Sequence, residues 1–133
     1  MADRTYLDWP FLDDSHRDLA ARAGAWAKAQ FGEHGFGEHG DVDADCGAIR
    51  RQLGQAGLTR YCVPAAYGGA TEALDLRSLC LMREHLAYRC GLADFVFAMQ
   101  GLGSGAISLF GTEAQKQAWL PGVASGDLCA AFA

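Results

Sequence analysis

Leu19, Ala23 and Trp26 fall at i, i+4 and i+7 between Asp13 and Phe31, an apolar stripe that predicts an amphipathic helix. Asp13, Asp14 and Ser15 stand ahead of it as N-cap candidates and place negative charge at the positive end of the helix dipole. The same spacing returns at Ile49, Leu53 and Ala56. It predicts a second helix, capped by Asp43 or Asp45 and ended by Gly57 just beyond its C-terminus. Residues 58–69, LTRYCVPAAYGG, lose the period; Pro64 and the Gly68-Gly69 pair predict an ordered loop. Asp75 is placed to cap a third helix, with Leu76, Leu79, Cys80, Leu86, Ala87 and Cys90 at helical spacing. Residues 93–110 are apolar without a clean polar face, which predicts a fourth helix buried nearly all round. Thr112 and Gln115 then form a capping box that opens a short fifth helix, which Pro121 is expected to close.

The pattern predicts an all-α chain, an orthogonal bundle of about five to six helices. Its last six residues, LCAAFA, read as the start of a buried β-strand. A strand at a terminus leaves backbone donors and acceptors open unless more chain or another subunit meets them, so the sequence reads as cut short. A length of 133 residues fits one domain, large enough to bury a core.

Charge and composition narrow the function classes. A net charge of −5, with no Lys/Arg run longer than Arg50-Arg51, argues against a nucleic-acid surface. The five cysteines are scattered and form no CxxC, which speaks against a zinc ribbon or a redox pair and for reduced thiols in a cytoplasmic setting. MADRTYLDWPF has no apolar core for a signal peptide, and the run 95–99 is too short to span a bilayer. A soluble, cytoplasmic protein without a membrane span is expected.

Three stretches suggest chemistry. FGEHGFGEHG, residues 31–40, repeats a Glu-His pair on a glycine-rich tether. Glu33, His34, Glu38 and His39 are ligand types for zinc or nickel, but the glycines hold nothing in place, and a surface loop is the simpler reading. No metal site is assigned. GLGSGA, residues 101–106, imitates a dinucleotide fingerprint. The helices upstream lack interleaved strands, so the glycines read instead as a helix that something approaches closely. His16 and His85 each stand alone on a predicted helix, with no Ser, Cys or Asp partner at a recognised spacing, and no catalytic residue is assigned.

The segment ISLFGTEAQKQAWLPGVASGDLCAAFA, residues 107–133, resembles the N-terminal region of the acyl-CoA dehydrogenase family. So do the loop VPAAYGG at 63–69 and the helix LDLRSLCLMREHLAYR that follows it. The resemblance implies an N-terminal helical domain over residues 1–127 and, at 128–133, the first strand of a β-sheet middle domain. It implies FAD-dependent α,β-desaturation of an acyl-CoA thioester, with electrons passed to an electron-transfer flavoprotein, in a homo-oligomer that is typically a tetramer. The family's flavin loop and catalytic glutamate have no counterpart in these residues, so the chain alone is expected to be inactive and not to retain FAD. What carries over is Phe132 at the flavin edge, and Phe95, Ala98, Met99 and Leu102 along the acyl-chain cavity. A non-catalytic helical interaction module derived from the same fold is the alternative.

Overall fold

A computed structural model describes residues 3–32 and 40–132. Five α-helices succeed one another: α1 Asp14–Phe31, α2 Val42–Gln55, α3 Leu76–Ala87, α4 Gly91–Phe110 and α5 Glu113–Ser125. Short 3-10 turns at Thr5–Asp8, Thr59–Cys62 and Ala65–Tyr67 complete the described elements. The fold is all-α, as the periodicity predicts. Residues 128–132 form no strand pairing among the described residues. The FGEHG repeat from 33 to 39, with Glu33, His34, Glu38 and His39, lies outside the described residues, as does Ala133.

Local rules account for most helix ends. Asp13 caps α1, its carboxylate accepting from the backbone of Ser15 and His16 while the His16 ring accepts from the Asp13 amide. Asp75 caps α3, and Thr112 with Gln115 closes the capping box of α5. The α2 cap is Asp41 rather than Asp43 or Asp45: its carboxylate accepts from Ala44 at 3.1 Å. Three acids at alternate positions make the cap ambiguous in sequence. Asp43 and Asp45 instead occupy the first turn, where they still favour the dipole.

Three further expectations are corrected. Cys90 lies beyond α3 and caps α4, its sulfur accepting from the Ala93 amide. The inward face of α3 is Ser78, Leu81, Met82, His85 and Leu86, whereas Leu76 and Cys80 point to solvent. Pro121 does not close α5, which continues to Ser125 and stops at left-handed Gly126. Pro121 and Gln117 are both exposed, so the carbonyl that proline leaves without a donor meets water.

At the centre of the bundle, α4 touches α2, α3 and α5, while α1 packs on α3. Leu19, Ala23, Ala27 and Phe31 of α1 join Ile49 and Leu53 of α2, Met82 and Leu86 of α3, Phe97 of α4 and Leu120 of α5 in one core. Phe31 therefore belongs to the core and not to the repeat that follows it. The α2–α5 contact is closest at Gly54, where a Cβ would lie 2.1 Å from the Ser125 carbonyl oxygen and 2.8 Å from the Gly126 Cα. Arg50 donates to the Gly126 carbonyl, and buried Thr59 donates to the Ala124 carbonyl at 2.8 Å, fixing the end of α5. Gly54→Val should therefore force α2 and α5 apart and cost about 2–4 kcal/mol in urea unfolding. An unchanged midpoint would contradict the close approach.

Candidate functional site

The fourth helix has two opposite faces, and neither is what its composition predicts. Ala93, Val96, Phe97, Gln100, Ser104 and Ser108 are buried. Gly91, Phe95, Leu102, Ala106 and Leu109 are exposed. With 3.6 residues per turn, the second set forms a single line on the outside. Phe95 is 57% exposed and Leu102 59%. The helix is thus not buried all round; its polar residues Gln100, Ser104 and Ser108 face in beside Ala93, Val96 and Phe97, and a second apolar line faces out.

Of the three inward polar side chains, Gln100 and Ser104 are hydrogen-bonded inside the fold, and the buried Ser108 hydroxyl has no partner among the described residues. Gln100, 1% exposed, donates from Nε2 to the Leu128 carbonyl at 2.9 Å and accepts at Oε1 from the Ala130 amide at 2.7 Å. One side chain so meets a backbone acceptor and donor two residues apart, as a neighbouring strand would. Ser104 donates to the Gln100 carbonyl at 2.7 Å. The tail is also tight against the helix: a Cβ on Gly103 would sit 2.4 Å from the Ala131 nitrogen. Close approach is therefore the role of Gly103. Gly101 makes ordinary contact with Cys62, and Gly105 is open. GLGSGA runs through the middle of an α-helix, which leaves no strand-to-helix turn for a dinucleotide.

Pinning the tail creates a groove of about 420 Å³ between α2, α4 and residues 129–131. Phe95 and Met99 line it beside Asp43, Cys46 and Arg50. Ala98 is half-buried and Leu102 exposed on the same side of α4, outside the groove lining. Phe132 follows the pinned tail with its ring 71% exposed, and it too lies outside the lining. Of the five residues singled out by resemblance, the structure gathers two in the groove and sets three around it. Gln100 was missed. Its signal was the polar series Gln100, Ser104, Ser108 at i, i+4, i+8 within an apolar stretch.

His16 is not alone, contrary to its sequence reading. It is buried, with Nε2 2.6 Å from Asp75 Oδ2, and Nδ1 beside Asp13. Fifty-nine residues separate the partners, a distance no local spacing can reveal. Ser78 donates to Asp75 and not to the imidazole, so the cluster is a joint between two helix caps, with no nucleophile activated by a base. His85 is buried with Nδ1 2.9 Å from the Leu81 carbonyl. No group of three metal-ligating side chains occurs among the described residues. By length and composition α4 is apolar enough to cross a membrane, at mean hydropathy 1.3, yet it is the bundle's central helix with buried amide and hydroxyl groups.

A family model described as the acyl-CoA dehydrogenase N-terminal domain matches residues 13–127. The chain belongs to the acyl-CoA dehydrogenase family. It is 26% identical over 126 residues to acyl-CoA dehydrogenase FadE12 of Mycobacterium tuberculosis, covering 95% of this chain and 32% of that protein. A probable acyl-CoA dehydrogenase of Bacillus subtilis is 39% identical over 85 residues, which is 64% of this chain and 14% of the relative. The human mitochondrial short-chain specific acyl-CoA dehydrogenase is 32% identical over 84 residues, 62% of this chain and 20% of its own length. The chain therefore spans about a third or less of these relatives.

The His16 joint predicts an acid limit. Burial raises the Asp75 carboxyl, but hydrogen bonds from Arg77, His16 and Ser78 outweigh it and hold the group well below the ordinary carboxylate range. The Ser15 hydroxyl and the His16 backbone bring Asp13 to about 2. Carboxyls depressed by folding stabilise the chain above their unfolded value of 3.8, and that stability is lost as pH falls through the folded values. Thermal melts should hold steady from pH 7 to about 5 and fall steeply below about 4. Asp75→Asn should lower stability at pH 7 and flatten the acid limb; an unaltered limb would show that the joint is not formed.

Proposed function

We propose that this chain is the N-terminal domain of an FAD-dependent acyl-CoA dehydrogenase, in which the outward face of α4 walls the acyl chain and Phe132 forms one edge of the flavin site. The observation that carries this reading is the exposed apolar line of α4 beside the groove of Phe95 and Met99. Solvent does not favour such a line, and a saturated alkyl chain does: each CH₂ transferred from water gains about 0.8 kcal/mol. Phe95, Ala98, Met99 and Leu102 offer apolar contact without a charge, so they bind and orient the chain and keep water from it.

The residues fit a flavin only along one edge. Phe132 presents an exposed ring at the end of a segment pinned by Gln100, the kind of surface on which a planar ring system packs. The groove's cation, Arg50, is engaged with the Gly126 carbonyl. When bound, FAD supplies the acceptor for the hydride leaving Cβ of the acyl-CoA. No residue of this chain is assigned as the base for the α-proton. In this reading residues 1–127 are the helical domain and 128–133 begin a β-sheet domain, with the Gln100 amide guiding the strand's entry. The complete enzyme would be a soluble, cytoplasmic homo-oligomer that passes electrons to an electron-transfer flavoprotein.

Photolabelling with a diazirine-bearing acyl-CoA tests the acyl wall. Labels should fall on Phe95, Met99 and Leu102 and be displaced by unmodified acyl-CoA. Leu102→Asp should weaken labelling about tenfold, with unchanged circular dichroism, because an exposed side chain supports no core contact. Labels confined to α1 or α3 would refute the reading.

A second expectation concerns turnover. The isolated 133 residues should purify colourless, oxidise no acyl-CoA with an artificial acceptor, and self-associate through the open face of α4. A yellow monomer bleached by acyl-CoA would show that the reacting groups all reside here.

A further inference from the structure

Of the five cysteines, Cys62 and Cys90 are buried, Cys80 is exposed on α3, and Cys46 and Cys129 line one groove. That groove is the acyl groove of the proposed function, on which the functional part of this inference rests. Cys46 lies on the α2 wall and packs partly buried against the main core, as does Ala130. Cys129 lies on the facing rim, between the two backbone groups that Gln100 holds, and is itself exposed. Asp43 shares the wall, yet among the described residues no three such side chains come together to hold a metal ion. Residues 128–132 belong to no helix or strand, and the two Gln100 hydrogen bonds hold the backbone on either side of Cys129.

We propose that Cys46 and Cys129 are a reversible thiol–disulfide pair that closes the rim of the groove when a low-molecular-weight disulfide, such as oxidised glutathione, is abundant. Cys129, the exposed partner, reacts first: its thiolate attacks one glutathione sulfur, forming a mixed disulfide and releasing one glutathione thiolate. The Cys46 thiolate then attacks the Cys129 sulfur, forming the internal bond and expelling the second glutathione. Two protein thiols are oxidised and one glutathione disulfide is reduced to two thiols, with the two protons passing to them. Burial, then Asp43, Asp45 and Cys129, raise the Cys46 thiol, which keeps it from reacting first. Such a bond would be transient in a reducing compartment, as a regulatory disulfide is. Its closure ties the tail to α2 across Phe95 and Met99 and narrows access for an alkyl chain.

The test is oxidation of the reduced chain with glutathione disulfide, followed by alkylation and peptide mapping. We expect an internal Cys46–Cys129 bond, one glutathione on Cys80, and Cys62 and Cys90 unmodified. Dithiothreitol should reverse both changes. The melting temperature of the oxidised chain should rise by about 10 °C, because the bond closes a long loop. Cys46→Ser should leave glutathione stably attached to Cys129. Persistent glutathione on Cys129 in the unaltered chain, or its pairing with Cys80 or a second copy, would overturn the thiol pair. Acyl-CoA photolabelling of Phe95 and Met99 should fall at least about fivefold on oxidation and recover on reduction. A mapped disulfide with unchanged labelling would refute closure. No labelling even when reduced would refute the acyl reading, while the mapping still decides the thiol pair.

Discussion

A buried amide needs both its donor and its acceptor met, and Gln100 meets them on the backbone of the chain's last described residues. That requirement organises the surroundings. It turns the polar stripe of α4 inward beside Phe97 and Val96, and leaves Phe95, Leu102 and Leu109 outward. It also draws the tail against Gly103, where only a residue without Cβ lets the backbone come so close. The groove, its Phe95 and Met99 lining and the exposed ring of Phe132 all follow from this one contact.

A second constraint sets the other end of the groove. The approach of α2 to α5 at Gly54 and Gly126 is held by Arg50 and Thr59, each donating to a carbonyl near the end of α5. These bonds satisfy carbonyls that a helix C-terminus leaves open, so they stabilise the crossing and the terminus together. Because α2 also carries Cys46, the crossing fixes the wall that faces the tail. Packing of two glycines thereby bears on a surface neither of them touches.

Local signals were the legible part. Asp13, Asp75 and the Thr112–Gln115 box act through neighbours within a few residues, so their effect is complete in the sequence. Where local signals compete, the reading slipped: Asp41 displaced two equally acidic candidates, and Gly126 outlasted Pro121 as the stop of α5. The two faces of α4 were less legible. Apolar residues at helical spacing mark a face without saying whether a core or a ligand will cover it, and Gln100 was passed over inside an apolar run.

Sequence alone determined the five helices, most of their caps and the membership of the family, because periodicity, capping and ordered motifs are written in adjacent residues. Tertiary structure alone decided which face of α4 turns inward, that His16 meets Asp75, and that Cys46 and Cys129 share a groove. Those outcomes depend on contacts between residues 28 to 83 positions apart. Contacts of that span are chosen by how the helices pack together, and no local pattern records that choice.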